Sequence, residues 1–222
     1  MTQRGTTPMF RARWHILLST LIVASALARP AHAQEALRVT DLDGRVSPAL
    51  AARVRVLTDS AGAARLPVSP LVDKALEGAS KHAPDERIVA AVQSVLSSLR
   101  VARAALGPGA SDPELVAGMV VLRAGVPSDA LADARRRLPH RSLAVPLSVL
   151  GSLVAAGVPA TAAENAVVAQ AARSDDAAML AFGRNVERSI ASGVSPTMAA
   201  SDVPTSLHGA GAPGGATPRP KP

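Results

Sequence analysis

The chain has 222 residues, 48% of them hydrophobic, and its 24 lysines and arginines exceed its 17 acidic residues to give a formal net charge of +7. Its lack of cysteine excludes disulfide-stabilised folds, thiol catalysis and cysteine-ligated zinc sites. No two histidines have the spacing of a helical metal-ligand pair, so we expect neither a metal nor a cofactor.

The first 33 residues are typical of a secretory signal. Three arginines precede an uncharged, mostly apolar run at 14–28, and Ala31-His32-Ala33 supplies the small-x-small pattern of a cleavage site before Gln34. This apolar run is shorter than the roughly 20 residues that a membrane-spanning helix needs. We therefore expect export to the periplasm or the extracellular space, with no membrane span after signal removal. An uncleaved N-terminal anchor is the alternative.

The basic excess belongs mainly to this first segment. Residues 1–33 contain four arginines and no acidic residue, so the remainder carries 20 basic against 17 acidic residues, a net charge of +3. Phe182 is the only aromatic residue after position 33. A weak positive charge without aromatic stacking groups argues against nucleic-acid binding.

Residues 34–46 are polar and without periodicity, which indicates a short linker, and a helical domain is expected from 47 to 202. Ser47-Pro48 begins its first helix, because serine is a favoured N-cap and proline is tolerated in the first turn. The strongest helix is expected between Pro84 and Leu106, where apolar residues recur at helical spacing. These residues are Ile88, Val92, Val95, Leu96, Leu99 and Leu106.

A recurring Gly-x-Pro phrase ends one helix and begins the next. Glycine just past a helix end adopts the left-handed conformation easily, and proline at the next helix start loses no hydrogen bond. His82 takes the glycine position before Pro84. The phrase predicts an all-α fold of stacked helical hairpins, an irregular helical-repeat bundle. Its copies are Gly125-Val126-Pro127, Gly157-Val158-Pro159 and, with one extra residue, Gly193-Val194-Ser195-Pro196.

Each short helix of this repeat also contains an interior glycine. Gly78, Gly118 and Gly151 lie within the helices expected to begin at about 70, 113 and 146. Because an interior glycine costs about 1 kcal/mol relative to alanine, its recurrence indicates places where two helices cross closely. The alternative is that a composition rich in glycine and alanine scatters such residues without structural meaning.

The last segment, residues 203–222, consists largely of proline, glycine, alanine, threonine and serine. This composition offers too few apolar side chains to offset the entropy of ordering, so a disordered C-terminal tail is expected. The folded domain is therefore expected to end near residue 202.

The densest positive cluster lies where the helix expected from 127 to 138 ends. Arg135, Arg136 and Arg137 are followed closely by Arg141. One interpretation is a binding patch for an anionic partner, such as a phosphate-bearing envelope polymer or a lipid head group. The other is that these cations stabilise the negative end of a helix dipole.

Two carboxylates, Asp73 and Glu77, are the candidates for acid–base chemistry. They lie about one helical turn apart in the short helix after Pro70, beside Lys74 and Lys81. They could form a paired-carboxylate site in a groove, or a solvated helix face in which Glu77 pairs with Lys81. No nucleotide-binding or nucleophile motif accompanies them, so the sequence favours a non-catalytic protein.

The segment Leu71-Val72-Asp73-Lys74-Ala75-Leu76-Glu77-Gly78, followed by Pro84 and a long helix, resembles a segment of uncharacterised exported bacterial proteins. The resemblance brings no activity, cofactor or residue role. We expect an interaction or scaffold module of the bacterial cell envelope that binds a partner protein or an envelope polymer. An envelope hydrolase or enzyme accessory that uses Asp73 and Glu77 in a helical groove is the alternative.

Overall fold

The computed structural model describes residues 41–201, and the predicted signal, most of the predicted linker and the predicted tail lie outside this range. Residues 41–201 form helices and connecting turns without a strand. The helices are α1 (Pro48–Ala63), α2 (Ser69–Ser80), α3 (Asp85–Leu106), α4 (Asp112–Arg123), α5 (Ser128–Arg137), α6 (Ala144–Ala155), α7 (Ala160–Ala171), α8 (Asp176–Ala191) and α9 (Pro196–Ser201).

The helices pack in two rows, which confirms the expected all-α stack. Each odd-numbered helix packs on the next odd-numbered one, from α1 to α9, while α4, α6 and α8 form the second row and α2 lies beside α1 and α3. Contacts of α3 with α4, α6 with α7 and α7 with α8 join the rows. The backbone of α5 lies close to α3 and α7 rather than to α4 and α6, its neighbours in the chain.

The connections between helices lie at two opposite edges of the stack. We name one edge after the arginines that donate hydrogen bonds along it and the other after the glycines in three of its four connections. The arginine edge contains the connections that follow odd-numbered helices, residues 64–68, 107–111, 138–143 and 172–175. The glycine edge contains the connections that follow even-numbered helices, residues 81–84, 124–127, 156–159 and 192–195.

Five of these connections contain the same hydrogen-bonded turn. A residue with a positive φ follows the helix, and the N–H of the next residue donates to the carbonyl five positions earlier. This is the Schellman arrangement that the Gly-x-Pro phrase predicts. The copy at Arg65-Leu66-Pro67 contains no glycine, so the sequence did not predict it. The positive-φ residues are Arg65 (53°), His82 (52°), Gly125 (91°), Gly157 (90°) and Gly193 (97°).

Proline lies in the first turn of several helices. Pro70 and Pro113 are the second residues of α2 and α4. The start of α6 differs from the expected one, because the helix begins at Ala144 and Pro146 is its third residue. The first N–H groups of a helix have no partner within it, so proline at this position loses no helical hydrogen bond.

Two interior glycines lie where helices cross closely, as predicted. A Cβ atom at Gly78 would lie 2.7 Å from Ile88 Cγ1 of α3, and one at Gly118 would lie 3.1 Å from Leu131 Cδ2 of α5. Distances this short leave no room for an alanine unless the neighbour moves. Gly151 is less constrained, because a Cβ there would make an ordinary contact at 3.6 Å.

The core consists mainly of leucine, valine and alanine, and it includes Leu42, which precedes α1 and is fully buried. The Leu42 carbonyl accepts hydrogen bonds from the N–H groups of Arg45 and Val46, so the described end of the predicted linker packs on the helices. Among residues 41–201, α3 has the length and hydropathy of a membrane span. Its apolar residues, such as Val92 and Leu99, are buried in this core.

Candidate functional site

Arg103, near the end of α3, begins a series of arginine contacts along the arginine edge. One of its terminal nitrogens donates to the carbonyls of Pro108 (2.8 Å) and Ala110 (3.0 Å), in the connection that follows α3. The other donates to the carbonyl of Arg65 (2.6 Å), in the connection that follows α1. A single guanidinium therefore joins two successive connections of the edge, using the planar set of donors that arginine provides.

Glu114, in the first turn of α4, continues the series. Its Oε2 accepts from the backbone N–H of Ser111 (2.8 Å), which completes the reciprocal pair of a capping box. Its Oε1 accepts from the N–H of Leu143 (2.8 Å), at the start of α6, and from the guanidinium of Arg135. Glu114 is only 5% exposed. One buried carboxylate thus joins the starts of α4 and α6 to the end of α5.

The Glu114 carboxylate stays ionised in this setting. Burial raises the pKa of Glu114, but hydrogen bonds from the N–H groups of Leu143 and Ser111 and from Arg135 outweigh the burial and lower the pKa to about 2. Because the charge is balanced by nearby donors, the group acts as a fixed acceptor rather than as an acid or a base at neutral pH.

Arg135 and Arg141 extend the series to α8. Arg135 donates to the carbonyl of Arg141 (3.0 Å). The Arg141 guanidinium donates in turn to the carbonyls of Ala171 (2.5 Å) and Ser174, and to the carboxylate of Asp176 (2.8 Å) at the start of α8. The arginine edge is therefore bonded from the connection after α1 to the connection after α7.

The four arginines of the predicted anion patch divide into two pairs. Arg135 and Arg141 are brought together at the edge and bind acceptors of the chain itself. Arg136 and Arg137 lie on the exposed side of α5, where both pair with Asp133, at 3.0 Å and 3.6 Å. Each of the four thus has an acidic or carbonyl partner within the chain, and nothing in this geometry favours a free anion site over the helix-end interpretation.

A surface pocket of about 510 Å³ opens beside Arg141 at the start of α8, and Ser142, Asp175 and Asp176 line it. The terminal nitrogens of Arg141 that could meet a ligand there bind the acceptors described above. Its Nε, like that of Arg135, is buried and has no hydrogen-bond partner among residues 41–201. The exposed polar groups that line the pocket therefore already have hydrogen-bond partners within the chain.

Asp73 and Glu77 lie on the exposed face of α2. Glu77 pairs with Lys74 (2.7 Å) and Lys81 (2.6 Å), and the hydrogen bonds from these two lysines lower the pKa of Glu77 to about 2. His82, in the following turn, is also exposed. A carboxylate with so low a pKa is a poor proton donor at neutral pH, so this arrangement does not favour acid–base catalysis.

The part of the chain that the structure describes contains no evident metal site. Residues 41–201 contain no group of three or more histidine, cysteine, aspartate and glutamate side chains that could hold an ion. The two carboxylates of the pocket, Asp175 and Asp176, are a helix N-cap and the partner of Arg141.

An uncharged surface lies in the middle of the even-numbered row. α6 contains no charged residue, and it exposes the small side chains of Ser148, Ser152 and Ala155, which share one helical face. Val120 of α4 is 49% exposed, and Leu180 of α8 is 43% exposed. We name these five residues the α6 face.

Close packing places α4 and α8 on the two sides of the α6 face. A Cβ atom at Gly151 of α6 would lie 3.8 Å from Val120 Cγ1. One at Gly183 of α8 would lie 3.1 Å from Val149 Cγ1 of α6. The sequence did not point to this surface, because the exposed side of α6 depends on which of its residues the neighbouring helices cover.

Comparisons with known proteins add no relative. The chain has no significant match among protein-family models, curated proteins or solved structures.

Proposed function

We propose that this chain is an exported, non-catalytic interaction module of the bacterial envelope, of helical-repeat type, and that it binds a partner protein through the α6 face. The observation that carries the proposal is the α6 face itself. It combines small uncharged side chains with the exposed apolar side chains of Val120 and Leu180. The centre of a protein–protein interface is depleted of charged residues, and the side chains of Val120 and Leu180 supply apolar area that a partner would bury.

A protein fits this surface better than an anionic polymer does. An anionic polymer would require cations that are available to bind it, whereas Arg135 and Arg141 donate to carbonyls and carboxylates of the chain. Small residues such as Ser152 and Ala155 allow the backbone of a partner to approach closely. The export part of the proposal is supported by the signal-like pattern of residues 1–33 and by the cleavage pattern before Gln34.

Site-specific photo-crosslinking in intact cells tests the proposal. A photoreactive amino acid is introduced at Ser152, on the α6 face, and in a matched control at Ala90, an exposed residue of α3 in the other row. We expect a discrete crosslinked protein band at Ser152, recovered from the envelope fraction, and no such band at Ala90. The N-terminal sequence of the purified product is expected to begin at Gln34.

The double substitution Val120→Arg and Leu180→Arg is expected to abolish the crosslink at Ser152, because two charges would have to be desolvated in the interface. Val56→Arg, at an exposed valine of α1, serves as the matched control and is expected to retain it. Equal crosslinking at Ser152 and Ala90, or a crosslink that survives both arginines, would contradict a binding role of the α6 face. A cytoplasmic product with an intact N-terminus would contradict export.

A further inference from the structure

The exposed charges of α4 lie at its two ends. Asp112 is the first residue of this helix and Arg123 the last, and both are exposed, whereas Glu114 is buried. Their separation of eleven positions is close to three turns and roughly 16 Å, so the two side chains lie on the same side of the helix. The exposed surface of α4 is therefore acidic at its start, uncharged in its middle and basic at its end.

Neither of these two charges is balanced within the described range. Among residues 41–201, the Asp112 carboxylate has no hydrogen bond or ion pair. The Arg123 guanidinium donates only to the hydroxyl of Ser94, at 3.2 Å, and meets no carboxylate in the same range. The two ends of α4 thus offer opposite charges to another molecule.

The neighbouring helix α6 has a similar symmetry without charges. Ser148 and Ser152 are the fifth and ninth of its twelve residues, so each lies about one turn from one end of the helix. α4 and α6 begin at the same edge and lie side by side, where Gly151 packs near Val120. Reversing the direction of the row therefore exchanges the two serines and also exchanges the two charges of α4. A patch that matches itself after such a reversal meets the condition for an isologous dimer.

The direction of the helices favours the same arrangement. α4, α6 and α8 all begin at the arginine edge and end at the glycine edge, so their helix dipoles point the same way. A second layer of helices gains favourable electrostatic contact when it runs antiparallel to the first. Because solvent screens helix dipoles, this contribution selects the orientation of the second layer more than it strengthens binding.

We propose that the partner on the α6 face is a second copy of this chain, with the two even-numbered rows stacked antiparallel and Asp112 of each copy paired with Arg123 of the other. The inference rests on the proposed use of the α6 face and names its partner. Three helices about 9 Å apart and about 18 Å long offer roughly 500 Å² per copy, or roughly 1,000 Å² in total. This area is at the lower limit for a specific interface, so the dimer is a weak one.

Sedimentation equilibrium of the purified chain measures the association. We expect the mass to rise toward that of a dimer through the micromolar range. Asp112→Arg brings two arginines together at both ends of the interface, and Arg123→Asp brings two aspartates together, so we expect each to raise the Kd about tenfold. Asp59→Arg makes the same charge change at an exposed residue of α1, outside the interface, and is expected to leave the Kd unchanged.

Mixing the two charge variants gives the sharpest result. In a heterodimer of the Asp112→Arg and Arg123→Asp proteins, opposite charges meet again at both ends of the interface. We therefore expect the two variants to associate with each other more tightly than either associates with itself. This recovery also shows that both variants are folded.

The outcomes separate this inference from the proposed function. A chain that stays monomeric up to millimolar concentration would overturn the dimer, as would charge variants that associate as tightly as the parent. A crosslink from Ser152 to a different protein would likewise overturn it but keep the α6 face as a binding site. A monomeric chain without any crosslink at Ser152 would overturn both, whereas a Ser152 product of twice the chain's mass would support both.

Discussion

Glu114 shows how much of this fold can depend on one side chain. Its carboxylate accepts hydrogen bonds from Ser111 and Leu143 and pairs with Arg135, so it joins segments that are 21 and 29 positions away. Arg135 and Leu143 would each lose a charged acceptor in its absence. Removing one member of a buried charged pair lowers the free energy of unfolding by more than the intact pair contributes to it, because the remaining charge is left buried without a partner.

We therefore expect Glu114→Gln to lower the free energy of unfolding by about 2 to 3 kcal/mol. This lies below the cost for a fully buried pair, because the Arg135 side chain is 24% exposed. Urea denaturation measures the change. Glu187→Gln, at an exposed position of α8, is the matched control and is expected to change stability by less than about 0.5 kcal/mol. Equal stability of the two variants would show that the Glu114 contacts contribute little.

The same carboxylate predicts a pH dependence. The pKa of Glu114 is lowered in the folded protein to about 2 from an ordinary value of 4.5. The unfolded chain therefore takes up a proton at a higher pH than the folded one, so the stabilisation is complete above pH 4.5 and is lost as the pH falls toward about 2. The stability difference between the parent and Glu114→Gln is expected to shrink over that interval. A difference independent of pH would contradict this assignment.

At the scale of the element, five of the turns between helices share one backbone geometry. Three of the five Schellman turns have glycine at the left-handed position, whereas His82 and Arg65 adopt φ values of 52° and 53° with a side chain present. The left-handed region costs a non-glycine residue roughly 1 to 2 kcal/mol. The fold tolerates this cost at the first two turns because the hydrogen bonds and the following proline define the same geometry.

His82→Gly is expected to raise the free energy of unfolding by about 1 kcal/mol, because the left-handed strain is relieved. Thermal or urea denaturation measures this change in the free energy of unfolding. Ala90→Gly, at an exposed position inside α3, is the control and is expected to lower stability by about 1 kcal/mol. The opposite signs separate the effect of the turn from the general effect of glycine. A loss of stability in His82→Gly would contradict the backbone argument.

At the scale of the whole molecule, the two rows form a nearly one-dimensional assembly in which each helix contacts few others. The stability of such a stack depends on the interfaces between neighbouring helices. The terminal helices can therefore unfold while the remaining helices stay folded. Arg141 is a main bonded link between the arginine edge and α8, through Ala171, Ser174 and Asp176. The C-terminal helices should therefore depend on it more than the N-terminal ones.

Hydrogen exchange tests this dependence. Arg141→Met is expected to speed the exchange of backbone amides in α8 and to leave those of α1 to α3 unchanged. Arg173→Met is the matched control, since this exposed arginine lies in the connection after α7 and, within residues 41–201, its side chain bonds only Gln170. A uniform acceleration across all helices would indicate instead that the stack unfolds as a single cooperative unit.

Local chemistry made the helices predictable. Proline and glycine act on their own backbone, so the helix that ends before Gly125 and the stripe that begins at Ile88 follow from a few neighbouring residues. The close crossings at Gly78 and Gly118 were likewise indicated by glycines inside otherwise strong helices. The turn at Arg65 was missed because no glycine marks it, and its geometry is defined by the hydrogen bond from the Leu66 N–H to the Ala61 carbonyl.

The sequence by itself determined that this chain is helical, where the helices that precede a Gly-x-Pro phrase end, and that the net charge falls to +3 beyond the first 33 residues. Only the tertiary structure decided what Arg135 and Arg141 bind, because their acceptors lie up to 35 positions away in the chain. It also decided which side of α6 faces solvent, since exposure depends on the neighbours in the row. Backbone preferences are local, whereas charge pairing and burial depend on residues that meet only after the helices have packed.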